Sequence, residues 1–492
     1  AYLGQRTIST SYMQPAQIEQ GRLSGMNQLE PEFVYQGFVR QKVVRKGRTA
    51  VIAVPGAGKT RPIIDALVEL GLVNGGLGTM FPKGSILVMC SGPAVATWKR
   101  QIPQWANIEG LEDRIYIVKG SAVKRRAMWL HASVKPGIFI INFSIFWRDY
   151  KTIKTLRWAA IIADEYHKAM RSRKSATYGY FKSMTLHSDV MILATGSIIS
   201  KDPTSMFTAF QLVAPKVFTS YWKFVETYCI VNASQFGTEI LGVKNVEALH
   251  AIMDRYFAYV PEDVIADQLP EGLRTVMDVE MDDEQEEIYQ GLAQEMIGMM
   301  EEGDVMIIAS TVLSQLIKLR QLLCCPRALD PSLGMGAGFE AIMDTLEDEP
   351  HIVIFVPFRD ACTEITKELC ARGYDAHAIM GGIGNEEQDK EVRYFREHQS
   401  IIVCTIAYAE SFDLETCKNS FFLGYSHLDA NKQAEGRTRR AISAHEFVKW
   451  RYIKYDRTID EVALLNLQQS AANVRKIMRR PEELIRALKG ET

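Results

Sequence analysis

The sequence predicts an α/β protein: two parallel-sheet lobes in tandem, with a mostly helical insertion between them. Three observations lead there. Between residues 49 and 194, short apolar runs alternate with helical stretches, and the runs read as strands buried on both faces of a parallel sheet. A second series with the same grammar begins near residue 351. The stretch 216–345 between the two series is mostly helical in character.

Residues 1–30 are polar, rich in Gln, Ser and Gly, and read as a loosely ordered N-terminal segment. Residues 31–275 form the first lobe, with strands expected at 50–54, 85–90, 114–118, 137–142, 159–163 and 190–194 and a helix at 59–72. Residues 276–345 form the insertion, where 281–302 is acidic and Met-rich and 310–325 carries apolar residues at helical spacing. Met296, Met299 and Met300 read as core filling, which suits an unbranched, adaptable side chain. Residues 346–465 form the second lobe, with strands at 351–356, 375–379, 400–405 and 420–425. The tail, 466–492, reads as helix broken at Pro481.

Composition bounds the function class. The 492 residues are 47% apolar and 24% charged, the balance of an ordinary soluble globular protein. A formal charge of -2 announces no global basic field, but local basic loops can serve a nucleic-acid groove on a nearly neutral protein. The eight cysteines include no C-x-x-C pair, and no histidine falls at zinc-finger spacing, so they read as buried free thiols in a reducing compartment. No signal-peptide pattern and no uninterrupted apolar run of spanning length is present, which predicts a soluble, cytoplasmic protein with no membrane partner.

The chemistry concentrates at Pro55-Gly56-Ala57-Gly58-Lys59-Thr60, between the first strand and the first helix. That is the context a phosphate-binding loop needs. Glycines let backbone N–H groups turn inward around phosphates, and the helix N-terminus adds positive potential. Lys59 is placed to reach the β and γ phosphates and Thr60 to hold Mg²⁺. Ala53 stands where the longer consensus has glycine, while the shorter G-x-G-K-T core is intact. Downstream in the same lobe, an apolar strand delivers two adjacent carboxylates, Asp164 and Glu165. Asp164 suits Mg²⁺ held through water, and Glu165 suits polarising an attacking water. ATP and Mg²⁺ are the cofactors these motifs predict.

D-E-x-H after G-K-T is the signature of superfamily 2 helicases, with Asp164 to His167 as motif II, and the chain resembles their Swi/Snf-type double-stranded DNA translocase branch from about residue 31 to 477. Tyr35-Gln36 stands where the family has its adenine-reading glutamine. The stretch from Pro93 through Trp98 and Lys99, with Trp105, is similar to motif Ia. Ala194-Thr195-Gly196-Ser197 is similar to motif III, Phe355-Val356-Pro357-Phe358 to motif IV, and the run from Gln433 to Arg440 to motif VI. Gln285 with Tyr289, Leu319-Arg320-Gln321 with Pro326, and Thr458-Ile459-Asp460-Glu461 resemble further motifs of the branch. Residues 405–414, at the place of motif V, depart from it: the family's glycines are gone, and Asp413 stands where the family has asparagine. The branch's R-R-x-K ahead of Leu269-Pro270 is also absent.

The resemblance implies two RecA-like lobes with ATP in the cleft between them. Lys59, Thr60, Asp164 and Glu165 then come from lobe one, and Gln433, Arg437 and Arg440 from lobe two. The guanidinium groups would neutralise charge developing on the γ-phosphoryl, which makes hydrolysis depend on closure. Gln36 and the loop Pro55, Gly56, Ala57, Gly58 would bind nucleotide, and His167 would couple motif II to motif III. Duplex DNA is the expected partner, with RNA not excluded and protein partners unassigned. Contacts would fall mainly on backbone phosphates, from Pro93, Trp98, Lys99, Arg171, Arg173, Lys174, Thr195 and Thr405. The alternatives are a strand-separating DNA or RNA helicase and a nucleotide-binding scaffold that no longer turns over.

Overall fold

The structure is a computed structural model. It describes residues 32–463, apart from 76–78, 93, 171, 197–202, 235–236, 261–264, 266–268, 303–304, 347–349, 410–411, 427 and 441–442. In chain order its strands are β1 Arg48–Ala53, β2 Ile86–Cys90, β3 Ile115–Ile117, β4 Ile138–Asn142, β5 Ala160–Asp164, β6 Val190–Thr195, β7 Cys229–Ser234, β8 Gly237–Val243, β9 Phe257–Val260, β10 Glu271–Val279, β11 Ile352–Val356, β12 Ala376–Ile379, β13 Ile401–Thr405, β14 Asn419–Leu423 and β15 Phe447–Tyr455.

Two sheets result. The first has the order β3-β4-β2-β5-β6-β1-β9 and the second β10-β15-β14-β11-β13-β12. Every pairing within them is parallel. Each inner strand supplies both faces, as uniformly apolar runs require. In β2, Leu87 and Met89 enter one core while Ile86, Val88 and Cys90 enter the other. In β11, Ile352, Ile354 and Val356 face one core and Val353 and Phe355 the opposite one.

The register of the first sheet assembles the chemistry. β6 lies between β1 and β5, with Thr195 opposite Ile52 and Ala194 opposite Asp164. The loops leaving the C-terminal ends of these three strands therefore emerge side by side. Ligands of open parallel sheets bind at that edge.

Three departures from the sequence reading have physical causes. β10 pairs with β15 along its whole length, so a lobe boundary at 275 falls inside a strand of the second sheet. β10 is an edge strand with exposed Glu271, Arg274 and Asp278 and shows no apolar run. The stretch 216–345 is not helical throughout: an antiparallel β7–β8 hairpin, β9 and β10 precede the helices Asp283–Glu302, Val305–Cys324 and Ala337–Leu346. β15 itself escapes an apolar-run reading because Lys449, Arg451 and Lys454 interrupt its buried positions.

The insertion helices are joined to the second lobe. Met296 is fully buried in that lobe's core, beside Tyr289 and Leu323. The Ile459 N–H donates to Tyr289 Oη at 2.9 Å, and Gln285 Nε2 donates to the Leu322 carbonyl at 3.0 Å. All eight cysteines are free thiols; Cys370 is exposed and the others are buried. Among the described residues no helix is long and apolar enough to cross a membrane.

Candidate nucleotide site between the lobes

The loop after β1 turns through two positive-φ glycines, Gly56 at +90° and Gly58 at +66°, before the helix Thr60–Glu69 begins. Only glycine adopts such angles without steric cost. The helix Val34–Lys46 braces this loop from outside: Tyr35 Oη donates to the Ala57 carbonyl at 2.7 Å and Gln36 Nε2 to the Gly58 carbonyl at 3.4 Å. The glutamine identified by resemblance therefore sits against the loop.

Lys59 Nζ donates to the Ala53 carbonyl at 3.1 Å and lies 3.7 Å from Glu165 Oε1. It thus spans the mouth of the loop towards the end of β5. Glu165 adopts a left-handed backbone, φ +48°, which costs a non-glycine residue energy and turns its carboxylate into the site. Its Oε2 accepts from the Gly196 N–H at 3.3 Å and lies 3.3 Å from His167 Nδ1. His167 Nδ1 is also 2.8 Å from Thr195 Oγ1. The ring nitrogen thus faces the Glu165 carboxylate and the Thr195 hydroxyl together. This places His167 between motif II and motif III.

The two neighbouring carboxyls are driven apart. Burial works to raise Glu165, but Lys59 and His167 outweigh it and hold the group well below the usual carboxylate range. Burial and the adjacent Glu165 push Asp164 up, against the pull of the Trp98 indole and Lys59. An ionised base beside a carboxyl short of positive charge is a setting that fits a hard cation on oxygen ligands. The Thr60 hydroxyl and the Asp164 carboxylate are the groups that would hold Mg²⁺.

The second lobe closes the other side. Adding a Cβ at Gly56 would drive it into the Arg439 carbonyl oxygen, and one at Gly436 would lie 2.5 Å from Pro55 Cβ. The helix Leu428–Thr438 thus packs its backbone directly on the phosphate loop. Gln433 and Arg437 are buried there, and Arg440 follows just beyond the helix. Burial and the neighbouring Arg440 pull Arg437 down to about 9, while Asp413, Glu165 and Asp164 oppose the fall. Arg437 therefore feels both motif II carboxylates across the cleft.

The structure redistributes the expected nucleic-acid residues. Trp98 is buried and donates its indole N–H to Asp164 Oδ2 at 2.8 Å, so it props the candidate site. The second tryptophan of that motif, Trp105, lies under the Arg61 guanidinium at 4.4 Å. Thr195 and Thr405 are buried at the ends of β6 and β13, and neither side chain offers a surface to a phosphate backbone. Lys99, Arg173 and Lys174 are exposed, and Arg173 stacks over Tyr221 at 4.2 Å. Pro93 and Arg171 lie outside the described residues. In the basic run Lys124-Arg125-Arg126, Arg125 is buried and pairs with Asp149 at 2.8 Å, so it serves the fold. Sequence reading missed Arg100, whose approach to Asp413 no local pattern signals.

A family profile described as SNF2-related domain matches residues 7–328, well over half of the chain. The chain belongs to the SNF2-related family. A second profile, helicase conserved C-terminal domain, matches residues 337–442. Chromodomain-helicase-DNA-binding protein 8 of Xenopus tropicalis is 21% identical over 353 residues, covering 70% of this chain and 15% of that protein. The SWI/SNF-related matrix-associated actin-dependent regulator of chromatin subfamily A-like protein 1 homolog of Caenorhabditis elegans is 27% identical over 209 residues, covering 40% of this chain and 29% of that protein. The chain thus spans less than a third of either relative's length. The solved Sulfolobus solfataricus SWI2/SNF2 ATPase core in complex with dsDNA aligns over 93% of both chains, at 18% identity and a TM-score of 0.41.

Proposed function

We propose that this SNF2-family chain is a nucleic-acid-stimulated ATPase that uses Mg²⁺-ATP to translocate on duplex DNA. One observation supports the reading: the candidate residues for hydrolysis lie on the two sides of a single cleft, contributed by two sheets. Lys59, Thr60, Asp164 and Glu165 come from the first sheet's edge, and Arg437 and Arg440 come from the second lobe packed on the phosphate loop.

The chemistry follows from that placement. The loop amides and Lys59 bind the β and γ phosphates. Bound Mg²⁺ supplies neutralisation of phosphate charge. Glu165, ionised and fixed by Gly196 and His167, orients water and draws its proton as the oxygen attacks the γ-phosphorus. The β–γ bridge breaks, and Arg437 and Arg440 meet the charge that develops. Since those arginines belong to the other lobe, hydrolysis requires closure, and loss of phosphate releases it. Alternate closure and release move one lobe past the other along a strand.

Duplex DNA is the preferred track because of the family, whose curated relatives include chromodomain-helicase-DNA-binding proteins. Exposed Lys99, Arg173 and Lys174 supply sequence-independent phosphate contacts. Triplex displacement tests the translocase reading. The intact protein with ATP is expected to strip a third strand from duplex DNA without separating the duplex, and Glu165→Gln is expected to do neither. Strand separation of a forked duplex without triplex displacement would replace translocation by unwinding.

A further inference from the structure

Asp413 stands where the family's motif V carries asparagine, and its carboxylate sits among four guanidinium groups. Its Oδ1 pairs with Arg440 and lies 4.0 Å from Arg437 Nη1. Its Oδ2 lies 3.7 Å from Arg100 Nη2 and 3.9 Å from Arg396 Nη2. Arg396 has anchors of its own, Glu415 at 3.2 Å and the Asp413 carbonyl at 2.9 Å. The remaining three differ in origin. Arg437 and Arg440 are the motif VI arginines, whereas Arg100 belongs to the helix Ala94–Ala106 of the first lobe. One carboxylate therefore spans the cleft.

The arginines are not satisfied by it. Arg437 Nε and Arg440 Nε are buried and have no hydrogen-bond partner among the described residues. Buried donors without acceptors favour any anion that reaches them. Burial works to raise the Asp413 carboxyl, but Arg440 and Arg437 hold it below the usual range, so it is an anion at neutral pH. Asparagine at the same position brings no charge and makes no ion pair with Arg100.

We infer that Asp413 is an ionic latch between the lobes: it ties Arg100 of the first lobe to the motif VI arginines of the second, and a γ-phosphoryl must displace it from those arginines. The latch itself stands on the ion pairs alone, and its displacement rests on the proposed ATP chemistry. A carboxylate at this point makes closure salt-sensitive before nucleotide binds, and it makes nucleotide compete with an internal anion.

The test uses the full chain with a fluorophore pair introduced as unnatural amino acids at Val123 and Lys367, exposed positions of the two lobes. Interlobe distance is followed without nucleotide across a salt series. The wild type is expected to be closed at low salt and to open as salt screens the pairs. Arg100→Gln, at a half-exposed position that leaves the fold intact, is expected to shift the equilibrium towards open by about two- to fivefold. Arg100→Lys restores most of the closure. In an Asp413→Asn background Arg100→Gln has no further effect. An unchanged distance in Arg100→Gln, or the same shift with and without Asp413, overturns the latch. Since no step of this measurement consumes ATP, its failure is distinct from failure of the ATPase reading, which would appear as absent turnover in the wild type. In turnover, Arg100→Gln is expected to raise KM for ATP about two- to fivefold, because Asp413 then faces the phosphates less neutralised.

Discussion

The two sides of the cleft are built on opposite electrostatic plans. On the first lobe's side each carboxyl is matched with a partner: Glu165 lies against Lys59 and His167, and Asp164, short of positive charge, is held by the Trp98 indole. On the second lobe's side cations are in excess, with Arg437 and Arg440 gathered on the single carboxylate of Asp413 and buried donors left over. The first side is ready to hold a cation and phosphates. The second lacks an anion of the kind a transferring phosphoryl supplies. On the proposed chemistry neither half hydrolyses ATP alone, and the close approach of Gly436 to Pro55 brings the two sets together.

That contrast can be broken in graded ways. Glu165→Gln removes the ionised base from the matched side, and kcat for ATP is expected to fall about 10²–10⁴-fold with nucleotide binding retained, measured by steady-state turnover and a fluorescent nucleotide titration. Arg437→Ala removes a cation from the excess side, with an expected loss of about 10²–10³-fold in kcat and little change in KM. Survival of most activity would mean that the second lobe does not supply the transition-state charge. Gly436→Ala leaves both charge sets intact but wedges a methyl against Pro55, and roughly a tenfold fall in kcat is expected from misplaced arginines. Its melting temperature should fall slightly as well, since the clash with Pro55 costs about 1–3 kcal/mol against about 1 kcal/mol gained in helix propensity.

The smallest expected effect lies away from the cleft. Burial raises the Asp460 carboxyl to about 7, against its backbone hydrogen bond at Tyr455 and the attraction of Arg320 and Lys454. A folded-state value above the unfolded one means that the group stabilises the fold below about pH 4 and that this is lost as pH rises through 7. Asp460→Asn should therefore melt higher than the wild type at pH 8, by about 2–4 °C per kcal/mol recovered, and show no gain at pH 4. A gain at both pH values would assign the effect to packing.

The same contrast governs what could be read from the sequence. The matched side was legible because Gly58-Lys59-Thr60 and Asp164-Glu165 are contiguous, and each sits at the end of an apolar strand. The motif VI arginines were legible from resemblance. Trp98 was not: its indole reaches Asp164 across 66 residues of chain, and a tryptophan among basic residues reads equally well as a stacking surface. β10 and β15 were missed because edge and near-edge strands tolerate charge, so their pattern carries no apolar run. Asp413 was visible as a departure from motif V, but its meaning depends on Arg100, which only the packing of the two lobes brings within reach.

The most direct test of the account is steady-state ATP hydrolysis by the purified chain with no nucleic acid, then with duplex DNA, single-stranded DNA or RNA. Weak turnover alone and strong stimulation by duplex DNA are expected. Turnover that no nucleic acid alters, or no turnover under any condition, would contradict it.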